Sequence, residues 1–506
     1  MKKLKYLFAG IALVFALIIP FAGCAGKSGL LEENIVDDKY DNYYEIFVYS
    51  FCDSNGDGYG DLNGVTQKLD YIRDMGYTAI WLMPINDSPS YHGYDVRDYY
   101  KINSKYGTIE DYENLIKKAH EKGIKIIMDL VVNHTSSSNP WFVSAANYKN
   151  GLHTDSTYEK WYNFVDKNPP SGYHRNGNVY YEGQFDGSMP DLNLDCEGVR
   201  AEIENIMKFW LEKGTDGFRL DGVKYYYGTG GNSQCVEFCK WIKETALKYN
   251  EKAYIVGEVW DGVTTIENFY KSGADSFFYF PGHGPTGNLA SATRAPDGAS
   301  IYWNALNRMI EVANGYIPAP FLGNHDTARI AGILSKDVTN IKFAYGLLSM
   351  CNGNTFTYYG DEIGMLGSAS DPDKRIGMLW DNDKTGMTKV PPGSSKQEYA
   401  FDGVKEQLAD KNSILNYYKL CNNARNAFPA IMRGTPERIS YNDEKILVFK
   451  KTYNGESVII VINFAAAEKS VEGIEGSLAQ GICTSGSIKK SGNKLNMPAK
   501  SIAILN

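Results

Sequence analysis

The chain has 506 residues, 43% hydrophobic and 22% charged, a globular balance that suits one large domain with appendages or two to three domains. Its net charge of −8, with 52 basic residues spread along the sequence, excludes a nucleic-acid-binding face and fits a neutral partner or substrate. No internal apolar run is long enough to span a membrane.

The first predicted element is an address. Lys2, Lys3 and Lys5 precede an apolar run from Tyr6 to Phe21 and the small residues Ala22 and Gly23, the layout of a secretory signal. Phe21-Ala22-Gly23-Cys24 resembles a bacterial lipobox, although Leu is commoner than Phe at its first position. Residues 1–24 are therefore expected to be a lipoprotein signal peptide, with Cys24 lipidated and residues 25–42 a polar tether. This implies an extracytoplasmic, membrane-anchored or cell-surface protein of bacterial type. Seven cysteines follow Cys24, an odd number, so at least one is free or pairs between chains. Cys235 and Cys239 lie one helical turn apart without further ligands nearby, so buried or free thiols are expected and no disulfide framework.

Short apolar runs at 45–51, 78–84, 125–131, 217–223, 254–260, 276–280, 319–325 and 354–360 read as strands. Between them fall amphipathic stretches such as 109–122, 199–212 and 236–249, with helical spacing. Eight strands alternating with helices predict a closed (β/α)8 TIM barrel, built from residues 43–134 and 196–432, with its active site at the C-terminal strand ends. A long connection after the third strand, residues 135–195, is rich in Asn, Tyr, Gly and Pro and is expected to form an inserted subdomain. From 433 to 506 the pattern becomes alternating strands, with Asn454-Gly455 as a hairpin signal, so an antiparallel β-sandwich domain closes the chain. A monomer is expected.

After the first strand, Asp53, Asn55, Asp57 and Asp61 place side-chain oxygens at alternate positions, with the Tyr59 carbonyl between them and Gly58 allowing the tight turn. This matches the first nine positions of a calcium-binding loop. Gly64 stands where an EF-hand has its bidentate Glu, and a strand precedes the loop, so it is not an EF-hand. A structural Ca²⁺ is expected.

Four acidic residues fall at or near strand ends: Asp129, Asp221, Glu258 and Asp326. Arg219 and Asp221 stand two apart in a strand and so share a face. A guanidinium beside a buried carboxylate favours its charged form, as a nucleophile requires. An isolated pair of this kind is more often a strand-end ion pair, but the further acids on the same rim favour chemistry. Glu258 has apolar neighbours and the Trp260 indole near it in sequence, surroundings expected to raise its pKa and suit a general acid. One ionised and one protonated carboxyl are what retaining glycoside hydrolysis needs, with the two groups about 5–5.5 Å apart.

With these residues in place, the chain resembles the α-amylase superfamily, glycoside hydrolase family thirteen, from Tyr44 to its C-terminus. The segments Asp129-Leu-Val-Val-Asn133-His134, Gly217-Phe-Arg219-Leu-Asp221-Gly-Val-Lys224, Gly257-Glu258-Val-Trp260 and Phe321-Leu-Gly-Asn-His325-Asp326 occur in the family's order. The resemblance implies Asp221 as nucleophile, Glu258 as acid/base and Asp326 as transition-state stabiliser. It implies sugar-binding roles for His134, Arg219 and His325, and a supporting role for Asp129. Tyr94 would form the aromatic floor of the innermost subsite, Lys224 would reach toward the leaving group, and Arg375 would contact sugar; a surface arginine is the alternative for Arg375. Related oligosaccharide hydrolases carry the loop at 53–61 with a bound cation. A second calcium, held partly by Asn133, is less favoured because Tyr225 replaces the usual histidine after Lys224.

Met189-Pro190-Asp191-Leu192-Asn193 resembles a pattern between neopullulanase-like and oligo-1,6-glucosidase-like members. Tyr91 stands where exo-glucosidases place an acid, and Gly222 where α-1,6-acting members place Val; both lean toward an open cleft and α-1,4 bonds. The leading expectation is a surface-tethered, endo-acting, retaining α-amylase on starch, maltodextrins or related α-glucans. A 4-α-glucanotransferase, a maltogenic or an oligo-1,6-glucosidase-type hydrolase is the alternative, and a non-catalytic surface glucan-binding protein is less favoured.

Overall fold

The computed structural model describes residues 31–506 apart from 369, 395 and 396. The signal peptide and Cys24 lie outside the described residues. Seven parallel strands form one sheet, in the order Ser276–Phe277, Tyr254–Gly257, Gly217–Leu220, Lys125–Leu130, Ala79–Leu82, Asn42–Ile46 and Thr355–Tyr358. Isolated bridges Phe278 to Ala319 and Phe321 to Phe356 join its two edges and close the barrel. Burial on both faces explains why these strands read as unbroken apolar runs rather than alternating ones.

The run at 319–325 therefore contributes two bridges rather than the full strand that its apolar character predicts. Pro318 and Pro320 have no N–H to donate, so the segment serves the ladder mainly as acceptor. Their carbonyls take the Asn354 and Phe356 amides at 2.8 and 3.1 Å. The first strand also differs from expectation: it is Asn42–Ile46, and Val48–Phe51 is a short helix. Apolar and aromatic residues fill both stretches, so the boundary was invisible in composition. Nor is the tether free as far as residue 42. From Leu31 onward it is tied to the barrel: the Leu31 amide to Asn423 at 2.8 Å, Asp38 to Arg433 at 2.7 Å, and Lys39 to Asp275 at 2.9 Å.

The expected helices are present as Ile109–Glu121, Glu197–Glu212 and Ser233–Tyr249. A capping box of Thr108 and Asp111 starts the first of them, satisfying otherwise orphaned amide donors. The insertion after the third strand holds the helix Pro140–Lys149 and a small antiparallel sheet of Phe164–Val165, Tyr173–Asn176 and Val179–Glu182. A bridge from His134 to Asp191 ties the end of this insertion to its start.

The C-terminal region packs a five-stranded antiparallel sheet against a three-stranded one around Val448, Val461, Val471, Leu495 and Met497. The Asn454-Gly455 turn joins Ile446–Tyr453 to Glu456–Asn463, with φ of 50° and 83° as a tight two-residue hairpin requires. Lys451 reaches from this sheet into the barrel, donating to the Met350 and Ile431 carbonyls at 2.9 and 2.7 Å. The seven cysteines among the described residues are all free.

Candidate active site

Parallel register places Asp129 opposite Arg219, and Leu220 opposite Gly257. The next residues, Asp221 and Glu258, therefore leave the barrel side by side. Arg219 is fully buried between all three acids. Its Nη1 donates to Asp129 at 2.6 Å and to Asp221 at 2.8 Å, while Nη2 lies 2.9 Å from a Glu258 oxygen. The Gly222 amide donates to the same Glu258 oxygen at 3.1 Å. Asp129 also accepts from the Trp81 indole at 3.1 Å, so it is fixed from behind.

A second group meets the first from the opposite wall. His325 shares a 2.5 Å hydrogen bond between Nδ1 and Glu45, on the first strand, and its Nε2 lies 3.0 Å from Asp326 and 2.6 Å from the Tyr94 hydroxyl. Arg375 is buried rather than at the surface; it donates from Nη2 to Asp326 at 2.7 Å and from Nε to the His325 carbonyl at 3.1 Å. Tyr94 stacks on His325 with centroids 5.6 Å apart. Glu45 carries no motif that would have singled it out.

Position sets the protonation of these groups. Burial raises the Glu258 carboxyl, Asp221 and Asp326 raise it further, and Arg219 opposes them. The Trp260 indole is 45% exposed and stacks on Phe280 at 5.2 Å. Burial also pushes Asp129 up to about 7 against the pull of Arg219. For His325, burial alone would lower the imidazole, but Asp326 and Glu45 outweigh it and push it up to about 10. Burial would likewise raise Asp326, yet His325 and Arg375 hold it well below the usual carboxylate range. The cleft thus holds Glu258 biased toward its protonated form, as a general acid requires, and Asp326 held charged.

A cleft of about 560 Å³ opens over this group. Of the predicted residues, Tyr94, His134, Asp221, Lys224, Glu258, Asp326 and Arg375 line it; Arg219 and His325 lie beneath. His134 is buried, 3.2 Å from the Tyr94 carbonyl through Nε2, and Lys224 donates to the Trp260 carbonyl at 2.7 Å. Tyr91 forms part of the wall, edge-on to Phe47 and Tyr49. His92, Phe185, Tyr225 and Asp371 also line the cleft, and none of them was among the expected sugar-binding residues.

The loop at 53–61 lies outside the cleft. Asp53 accepts the amides of Asn55, Gly56 and Gly58 at 3.2, 2.7 and 2.7 Å, Asn55 that of Asp57 at 2.9 Å, and Asp57 that of Tyr59 at 2.8 Å. These turns fix the loop and keep hard oxygen donors at alternate positions, the donor type a calcium ion takes. Asp61 caps the helix Leu62–Gln67 and holds Ser54. Among the described residues no three acidic, His or Cys side chains gather to hold a metal ion, so any fit rests on the loop's mixed oxygen donors, the Asn55 amide and Tyr59 carbonyl included. Asn133 donates its side-chain amide to Asp191 at 3.2 Å, and the Gln184 backbone amide donates to the same carboxylate at 3.2 Å.

Comparison with known proteins agrees with this geometry. The family description "Alpha amylase, catalytic domain" matches residues 45–434. Alpha-amylase 3 of Dictyoglomus thermophilum is 39% identical over 432 residues, covering 85% of each chain. Oligo-1,6-glucosidase of Bacillus cereus is 29% identical, over 84% of this chain and 90% of its own. Among solved structures, Eubacterium rectale Amy13B superposes with a TM-score of 0.89 at 40% identity, covering 94% of this chain and 97% of its own. The α-amylase from H. orenii does so with a TM-score of 0.81 at 33% identity, covering 92% and 99%. With a matching catalytic domain over most of its length and a barrel rim of paired acids, the chain belongs to the α-amylase family of glycoside hydrolases.

Proposed function

We propose that the enzyme is a retaining α-amylase that cleaves internal α-1,4-glucosidic bonds of starch, maltodextrins or related α-glucans. The observation that carries this reading is the sharing of one guanidinium, Arg219, by Asp221 and Glu258 at 2.8 and 2.9 Å. Such adjacency suits the close carboxyl spacing of retaining enzymes, about 5–5.5 Å, better than the wider gap that holds a water in inverting ones. Asp221 attacks the anomeric carbon as Glu258 gives its proton to the departing oxygen. The glycosyl ester on Asp221 is then released by water, whose proton returns to Glu258. Asp326, held charged, and His325 hydrogen-bond sugar hydroxyls as oxocarbenium character develops, Tyr94 supplies the stacking floor, and His134, Lys224 and Arg375 complete the grip. Tyr91, neutral and packed against Phe47, supports a cleft open to longer chains.

The same reading has calcium held by Asp53, Asn55, Asp57, Asp61 and the Tyr59 carbonyl. There it would brace a loop whose Tyr59 ring leans on Tyr49, which in turn contacts Tyr91 at the cleft. It also places the enzyme outside the cytoplasm, anchored through a lipid on Cys24, on the strength of the lipobox sequence.

The test is proton NMR of maltoheptaose hydrolysis, with and without added glucose. First-formed α-anomers and no glucose-capped products are expected; β-anomers overturn retention, and efficient capture by glucose establishes a glucanotransferase instead. Full hydrolytic activity in Asp221→Asn would sink the mechanism.

A further inference from the structure

The cleft and the start of the chain lie at opposite poles of the barrel. Asp221 and Glu258 follow the C-terminal ends of Gly217–Leu220 and Tyr254–Gly257, whereas the segment 31–41 crosses the N-terminal strand ends before the first strand begins at Asn42. It is pinned along its whole length. The Leu31 amide bonds to the Asn423 side chain at 2.8 Å, the Asn34 amide to the Asn426 carbonyl at 3.0 Å, and Glu33 takes both Nη atoms of Arg73. Arg433 grips Asp38 through Nε and Nη2 at 2.8 and 2.7 Å. Lys39 donates to the Ala253 carbonyl at 3.0 Å and to Asp275 at 2.9 Å, each one residue ahead of a barrel strand. Lys125, which opens the third strand, donates to Asp41 at 3.0 Å.

The consequence is one of reach. From Cys24 to Leu31 the fully extended chain spans at most about 25 Å. With 31–41 released, the span from Cys24 to Asn42 would be about 60 Å. A folded body of this chain length measures about 60 Å across. A free tether would therefore let the molecule turn its cleft toward the surface that holds Cys24. The pinned one cannot, because its reach is less than half the diameter it would have to clear.

We infer that residues 31–41 are an orienting clasp: they hold the N-terminal strand ends toward the lipid bilayer and keep the cleft facing the medium, where a long glucan can enter it unobstructed. The inference rests on the reading of Cys24 as lipidated.

The test uses the full lipidated protein on vesicles of phosphatidylglycerol and phosphatidylethanolamine that carry an acceptor dye on their headgroups. A donor dye is placed at Glu251→Cys, in the turn before Tyr254–Gly257, or at Lys167→Cys, on the inserted subdomain; both positions are exposed. The unsubstituted protein sets the background from the native thiols. Energy transfer is expected to be strong from position 251 and a small fraction of that from position 167. Two variants lengthen the reach by different routes: Glu33→Ala, Asp38→Ala and Lys39→Ala combined, which loosen the clasp, and a flexible Gly-Ser insertion of about ten residues after Gly29, which leaves it intact. Both should raise transfer from position 167 toward that from position 251 and leave maltotriose hydrolysis in solution unchanged, since neither touches the cleft. Equal transfer from the two positions in the vesicle-bound wild type, or a signal from position 167 that the insertion does not move, would overturn the orientation while leaving the anchor in place. Failure of the anchor shows separately: no lipid mass on Cys24 and no flotation with the vesicles would overturn the anchor, and the orientation with it.

Discussion

Glu45, on the first strand, holds His325 through a 2.5 Å hydrogen bond to Nδ1. The other ring nitrogen is thereby directed at Asp326, 3.0 Å away. Two carboxylates on one imidazole account for its proton being retained far above the ordinary histidine range.

The sign of the resulting stability term follows from that shift. The folded-state pKa of His325 is raised to about 10 from the reference value of 6.5. Its contribution is therefore fully present below pH 6.5 and lost as pH rises through about 10. The difference in unfolding free energy between wild type and His325→Asn should narrow over that window, measured by urea denaturation at stepped pH. A constant difference would remove the imidazolium from the account.

Arg219 serves three buried acids, and among the described residues no other ion pair reaches them. Replacing it by Met leaves those charges uncompensated, for a loss of about 3–5 kcal/mol. Denaturant titration followed by tryptophan fluorescence reads this directly. Activity should vanish in Arg219→Lys as well, because a single ammonium cannot reproduce the planar fork that spans Asp221 and Glu258.

Glu258 keeps its proton to higher pH than an ordinary glutamate because it is buried beside Asp221 and Asp326. As the proposed general acid it would work only while protonated, so kcat/KM on maltoheptaose should fall on the alkaline side as Glu258 ionises. Glu258→Gln should lose that limb and about 10²–10⁴ in rate. A wild-type profile flat across the alkaline range would argue against Glu258 as the acid.

If calcium occupies the loop at 53–61, chelation should lower the melting temperature of the wild type and leave Asp57→Ala unmoved. At free calcium a hundred times its dissociation constant the gain is about 2.7 kcal/mol. Calorimetry with and without chelator checks this, and an unresponsive wild type would withdraw the metal.

Much of this was readable before the chain was folded. Strand runs, the long insertion after the third strand and the Asn454-Gly455 hairpin were visible because burial and turn geometry select residue types locally. The run at 319–325 was read as a full strand from its apolar residues, although Pro318 and Pro320 carried the counter-signal. Glu45 was not visible at all. It sits in no motif, and it matters only through a neighbour distant in sequence.

The sequence by itself determined that Arg219 and Asp221 share a face, because side chains two apart in a strand must, and it placed the acids near strand ends. Only the tertiary structure decided that Arg219 is divided among Asp129, Asp221 and Glu258, since that depends on the register of three parallel strands. Barrel closure likewise decided the proton on His325, by bringing Glu45 to it across 280 residues of chain. Local spacing dictates which way a side chain points; charge and pKa depend on what the closed barrel sets opposite it.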